Sequence, residues 1–109
     1  AKFVRRLQPG RGCDGIICAN DFTAAELLKT LASIKVDVPS KVRVVGFDDV
    51  RYATLLAVSL TTIHQPCREI AQVAFRAMQE RIREPTLPPR TLSLAPSLVV
   101  RESCGAYHL

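Results

Sequence analysis

Short apolar runs that stop at polar pairs alternate along this chain with stretches in which apolar residues recur every three or four positions. Gly15 to Ala19 is continuously apolar or small and ends at Asn20-Asp21. Val44 to Phe47, within a strand expected over Val42 to Phe47, repeats that form and ends at Asp48-Asp49. Between them Ala24, Leu27, Leu28, Leu31 and Ile34 fall at helical spacing. The order predicts strand, helix, strand, with both strands buried and parallel. Ligands of open parallel sheets bind just outside the carboxyl ends of the strands. Asn20 and Asp48 stand at two such ends and are the candidate contacts of a small-molecule pocket.

The remainder of the pattern is more varied. Residues 1–12 read as the tail of a helix, with Phe3, Val4 and Leu7 on one face and Pro9-Gly10 as the stop. Asn20 or Asp21 can cap the next helix through a side-chain oxygen. Val38-Pro39 closes that helical stretch. Residues 50–59 are less regular and allow one short helix around Tyr52 to Leu56. Leu60 to Ile63 is extended and β-branched, a third strand. From Arg68 to Arg83 the helical period returns: Ala71, Phe75, Met78 and Ile82 form an apolar stripe, widened by Ile70, Ala74 and Ala77. Gln72, Arg76, Gln79 and Arg83 form the opposite, polar face. Pro85, Pro88 and Pro89 mark a turn, and Thr91 to Arg101 reads as one extended strand interrupted by Pro96.

Composition narrows the class. At 109 residues, the sequence allows at most one small domain. It is 48% apolar but only 6% aromatic and lacks Trp, so the core should be aliphatic. No apolar run approaches the roughly 20 residues that span a bilayer. The net charge of +5 comes from scattered Arg residues without interleaved aromatics, which favours a solvated surface over a nucleic-acid interface. Cys13, Cys18, Cys67 and Cys104 show no C-x-x-C spacing, and neither His64 nor His108 completes a metal-ligand pattern. Reduced thiols are expected, with Cys18 acting as a small buried hydrophobe.

The chemistry open to these residues is binding. Ionised Asp accepts hydrogen bonds only, whereas Asn both donates and accepts. Asn20 with Asp48 therefore suits a ligand rich in hydroxyls, such as a sugar; the alternative is that both cap helices or turns. Asp48 and Asp49 are adjacent at a strand end and should point apart, which argues against a shared acid–base or metal site. No G-x-S-x-G, G-x-G-x-x-G or P-loop is present. His64 reads as a polar residue of a connecting segment, and Phe75 and Met78 as core. No catalytic residue, metal site or cofactor is expected.

Five motifs in order carry a resemblance: Ile16 to Asp21, Val38-Pro39, Val44 to Asp49, Leu60 to Ile63 with Gln65-Pro66, and Leu98 to Cys104. Together they resemble the carboxyl-terminal part of the lac repressor and galactose repressor family of bacterial transcription regulators. The resemblance runs from about residue 14 to 104. It implies an α/β fold: the three-layer, parallel-sheet second lobe of a type I periplasmic-binding-protein domain, here as a partial fragment. It implies that Asn20 and Asp48 hydrogen-bond a small-molecule effector, a sugar or sugar derivative, in a cleft between two lobes. Gln65 falls in a crossover near that cleft. Tyr52, Leu55 and Leu56 lie where family dimers pair. Operator DNA would be bound by an amino-terminal helix-turn-helix domain absent from this chain, in a cytoplasmic protein with no membrane partner.

By that resemblance, 1–64 is second-lobe βαβ structure, 65–91 a crossover and first-lobe helix, and 92–109 a return strand and tail. The 68–83 stripe would normally bury itself on a first-lobe sheet. Exposing its large side chains costs roughly 1.5–3 kcal/mol each, so a homodimer or segment-exchanged oligomer is expected to hide them. The chain departs from the family at Glu26 and Lys35, where Gly is usual. Lys35 thus stands where a left-handed glycine cap is expected. A periplasmic sugar-binding protein of a transport system shares the two-lobe fold and is the alternative reading. An enzyme on a doubly wound sheet is disfavoured because no phosphate-binding glycine loop is present.

Overall fold

A computed structural model of the chain describes residues 13–106. The helix tail expected over residues 1–12 and the terminal His108 lie outside these residues. The described residues form two compact units, one of residues 13–64 and 97–106 and one of residues 65–96.

In the first unit, β1 (Gly15–Ile17), β2 (Arg43–Asp48), β3 (Thr61–His64) and β4 (Ser97–Val99) form one sheet in the order β1-β2-β3-β4. The first three strands are parallel, and β4 runs antiparallel to β3. The sheet is therefore mixed. Of the extended stretch expected over 91–101, only three residues join the ladder. Pro96 has no N–H to donate, so pairing cannot continue through it. The short helix expected around Tyr52 to Leu56 is a four-residue 3₁₀ turn at Arg51–Thr54.

Helix α1 (Asp21–Ser33) packs on β2. Ala24, Leu31, Val42, Val44, Ala53 and Leu60 are buried together with Cys18, an aliphatic core without an aromatic ring. Burial pushes the Cys18 thiol pKa up, and the nearby charge of Asp21 adds to the effect. The helix ends as a Schellman motif: Val36 N–H donates to Leu31 O (2.9 Å) and Lys35 N–H to Ala32 O (3.1 Å). Lys35 sits at φ 57°, the left-handed conformation for which the resemblance leads one to expect Gly.

Not every expected strand residue is buried. Ile17 is 83% exposed, because β1 is an edge strand among the described residues and the Ile17 face of the sheet lies away from α1. Leu98, also directed away from the α1 face, is 57% exposed. The carboxyl-terminal tail closes the other end of the sheet. Ser103 Oγ accepts from Thr61 N–H (2.8 Å) and donates to Val44 O (2.6 Å), bridging β2 and β3. Glu102 accepts from both Ser59 N–H (2.9 Å) and Ser59 Oγ (2.8 Å).

The second unit is built on helix α2 (Cys67–Arg83) and the segment that follows it. Arg81 donates to the carbonyls of Pro85, Leu87 and Pro88, folding the proline-rich turn back onto the helix end. Glu80 pairs with Arg90. Ile70, Val73 and Ala74 meet Leu92 and Leu94 around a shallow cavity. No residue of α2 is fully buried.

Candidate functional site

The carboxyl ends of β1, β2 and β3 share one edge of the sheet, and the candidate ligand residues of the first unit lie on it. Asn20 is the N-cap of α1, at φ −157° and ψ 168°. Its Oδ1 accepts from Thr23 N–H at 2.8 Å. The capping reading is thus realised, yet it engages only the oxygen. The side-chain amide N–H groups are the part of Asn20 suited to donate to a ligand.

Asp48 ends β2 opposite His64 of β3, half-buried. It lies at φ 113° and Asp49 at φ 56°, two successive non-glycine residues in the left-handed half of backbone space. Such residues are costly and persist only where their surroundings hold them. Here the holding groups are explicit. Asp49 N–H donates to Thr62 Oγ1 (3.4 Å) and Val50 N–H to Asp21 Oδ2 (2.9 Å). Thr62 Oγ1 donates to Asp21 Oδ1 at 2.5 Å. The Asp49 carboxylate takes Arg101 on one oxygen (2.6 Å) and His64 on the other (3.0 Å). Arg101 also donates to Leu60 O (2.8 Å). Burial pushes the Asp49 pKa up, but the Arg101 and His64 hydrogen bonds and charges outweigh it and hold the carboxyl below its ordinary value.

Asp49 is thus occupied by structural partners. Gln65 is the first residue of the second unit, directly after β3. Tyr52 (38% exposed), Leu55 (82%) and the half-buried Leu56 follow the Asp48 turn. Leu56 lines a groove of about 650 Å³ with Leu28, Ala32, Val36, Val38 and Val58. Cys13, Cys18, Cys67 and Cys104 are free thiols. Among the described residues no cluster of three or more His, Cys, Asp or Glu could hold a metal ion, and no helix is long and apolar enough to cross a membrane.

Sequence reasoning missed the supports of this edge. Asp21 looked like an alternative cap, Thr62 like strand filling, His64 like a linker residue and Arg101 like one of many scattered cations. The usable signal lay in residue types set far apart in the sequence. An Asp directly after the cap, a Gly within β2 and a Thr on β3 are the residues that a buried carboxylate needs around it.

The family model of the periplasmic binding protein-like domain matches residues 2–104. The chain is 35% identical over 88 residues to the HTH-type transcriptional repressor PurR of Photobacterium profundum, covering 81% of this chain and 26% of that protein. It therefore spans about a quarter of the length of that relative. A LacI-family putative transcriptional regulator from Sanguibacter keddieii aligns with TM-score 0.85 and 34% identity, over 95% of this chain and 40% of that one. A LacI-family regulator from Lactobacillus casei, solved with bound sucrose, aligns with TM-score 0.72 and 28% identity, over 85% and 34% of the two chains.

Proposed function

The chain belongs to the periplasmic-binding-protein-like family, among its LacI-type regulators, and from that premise we propose that it is the effector-sensing portion of a bacterial DNA-binding transcription regulator. A small polyhydroxylated molecule, a sugar or sugar derivative, binds at the carboxyl edge of the sheet. Asn20 donates through its side-chain amide and Asp48 accepts ligand hydroxyls through its carboxylate. Gln65, directly after β3, is a third contact. Ligand binding changes the affinity of the complete regulator for its operator, which other parts of that protein contact. No step of this function is catalytic, and the regulator works in the cytoplasm.

The observation that carries the reading is the pair of left-handed residues at the end of β2, held by buried groups on α1 and β3. A turn kept in a costly conformation at the edge where such sheets bind ligands points to a binding role for Asp48. The sucrose complex of the Lactobacillus casei regulator supports a sugar as the effector class. Similarity to HTH-type and LacI-family regulators favours a regulator over a transport receptor.

Two association surfaces complete the proposal. Tyr52, Leu55 and Leu56 pair protomers in a homodimer, with Leu55 as the most exposed anchor. The apolar stripe of α2 is covered in the assembled protein. In the isolated chain it is hidden by pairing or segment exchange between copies, and a stable monomer by light scattering at all concentrations would remove that part of the reading. The ligand role is tested in the complete regulator with Asp48→Ala. The effector response should vanish while operator binding stays intact; an unchanged response removes Asp48 from the site.

A further inference from the structure

Asp21 is a charged side chain with no exposure at all. A carboxylate in that position is unfavourable by several kcal/mol unless its oxygens are satisfied. Both are, but neither by a cation. Oδ1 accepts from the Thr62 hydroxyl (2.5 Å) and Oδ2 from the backbone N–H of Val50 (2.9 Å). Asp21 is also the first residue of α1, where the helix dipole favours negative charge. Room for it is made on β2: a Cβ on Gly46 would collide with Asp21 Oδ1 and crowd Leu60 Cδ2.

The connectivity of this group has a consequence for the site. Asp21 directly follows Asn20, and its Oδ2 holds the amide two residues after Asp48. Its Oδ1 holds Thr62, whose hydroxyl in turn receives the Asp49 amide at 3.4 Å. The two amides that follow Asp48 are thus anchored, directly or through one hydroxyl, on a single buried carboxylate. Helix capping does not need this arrangement, because Asn20 already supplies the cap.

We propose that Asp21 is the positioning residue of the effector site, fixing the Asp48–Asp49–Val50 turn in its left-handed conformation and locking it to the Asn20 segment. The proposal rests on the reading of Asn20 and Asp48 as effector contacts. An Asn in place of Asp21 fits the same space but offers one acceptor oxygen and sets an N–H pair against either Val50 N–H or Thr62. A Val in place of Thr62 removes the relay to Asp49 and leaves the charge.

The test has two arms, both on the chain as it exists. In the first, amide hydrogen exchange is followed without ligand in the wild type, Asp21→Asn and Thr62→Val. Loss of a hydrogen bond to a charged acceptor should speed exchange at Val50 in Asp21→Asn about ten- to hundred-fold. Exchange in the middle of α1 and β2 should stay near wild type. Unchanged exchange at Val50, or equal acceleration across the whole first unit, overturns the proposal. In the second arm, sucrose and D-ribose are the probes, and Asp21→Asn is compared with Asp48→Asn and the double variant. If Asp21 acts through Asp48, the losses in affinity are not additive and the double variant resembles Asp48→Asn; additive losses overturn the proposal. Binding that survives Asp48→Asn, or a wild type that binds neither probe, defeats the sugar-site reading instead, and the first arm still decides whether Asp21 holds the turn.

Discussion

The two compact units of this chain treat their apolar residues in opposite ways. In the first, the α1 stripe is paid for by a matching sheet face, and Ala24 and Leu31 are essentially inaccessible. In the second, α2 is the longer and more amphipathic helix, yet Ile70, Phe75, Met78 and Ile82 are 41–69% exposed. Amphipathic periodicity states only that a helix has a face to bury. Where that face is buried depends on a partner that the same stretch of sequence need not supply. The polar groups differ in parallel. The first unit leaves no buried side-chain nitrogen or oxygen unpaired among the described residues, whereas the bonds of the second are exposed ones at a helix end.

The sharpest way to break this comparison is to delete equivalent apolar bulk from each unit. Leu31→Ala should destabilise by about 2–5 kcal/mol, as expected for a buried leucine in a close-packed core. Phe75→Ala should change stability in dilute solution by less than about 1 kcal/mol, since its side chain is already largely in water. Urea unfolding measures both; the Phe75→Ala loss should grow with protein concentration as another copy covers the stripe, and a loss that stays small at every concentration would remove that covering.

The polar support of the first unit gives the next effects. Asp49→Asn should cost about 1.5–3 kcal/mol at neutral pH, the range for hydrogen bonds to a charged partner. The folded-state pKa of Asp49 is lowered, so its contribution is present above the ordinary carboxylate value of about 3.9 and is lost as pH falls through the lower folded value. The wild-type advantage over Asp49→Asn should therefore narrow between about pH 5 and the acid limit of the unfolding titration. An advantage independent of pH would assign the effect to something other than the charge. Gly46→Ala should cost about 1–3 kcal/mol through overpacking against Asp21 and Leu60. It should also disturb the Asp48 turn, seen as faster exchange at Val50.

At the small end stands Lys35, held at φ 57° by the Schellman bonds of α1. Lys35→Gly should raise stability by about 0.5–1 kcal/mol, since relief of the left-handed strain exceeds the added freedom of the unfolded chain. A thermal midpoint that falls would show that the lysine stem contributes packing instead.

Much of the first unit was legible because local signals and tertiary partners agreed. The helical period over 21–33 meets a buried β2, the Asn20 cap bonds as its residue type predicts, and the polar residues that end the apolar runs stand together at the carboxyl ends of the strands. The resemblance placed left-handed geometry at residue 35, and the backbone adopts it there despite the lysine. Three things were less accessible. The exposure of Ile17 depends on β1 being an edge strand, which an apolar run does not reveal. The strand expected over 91–101 shortened to Ser97–Val99 because alternation says nothing about whether a partner is in register. The support of the Asp48 turn joins residues 29, 41 and 52 positions apart, so no local pattern could show that Asp21, Thr62 and Arg101 act together.

The central claim is that small molecules are recognised at the carboxyl edge of β1 and β2. Amide chemical-shift mapping of the labelled chain, titrated with sucrose and D-ribose, tests it most directly. The account predicts shifts concentrated at Asn20, Asp48, Asp49 and Val50, reached only at much higher sugar concentration in Asp48→Asn. Shifts confined to the groove of Leu28, Val36 and Val58, with this edge unmoved at saturation, would contradict it.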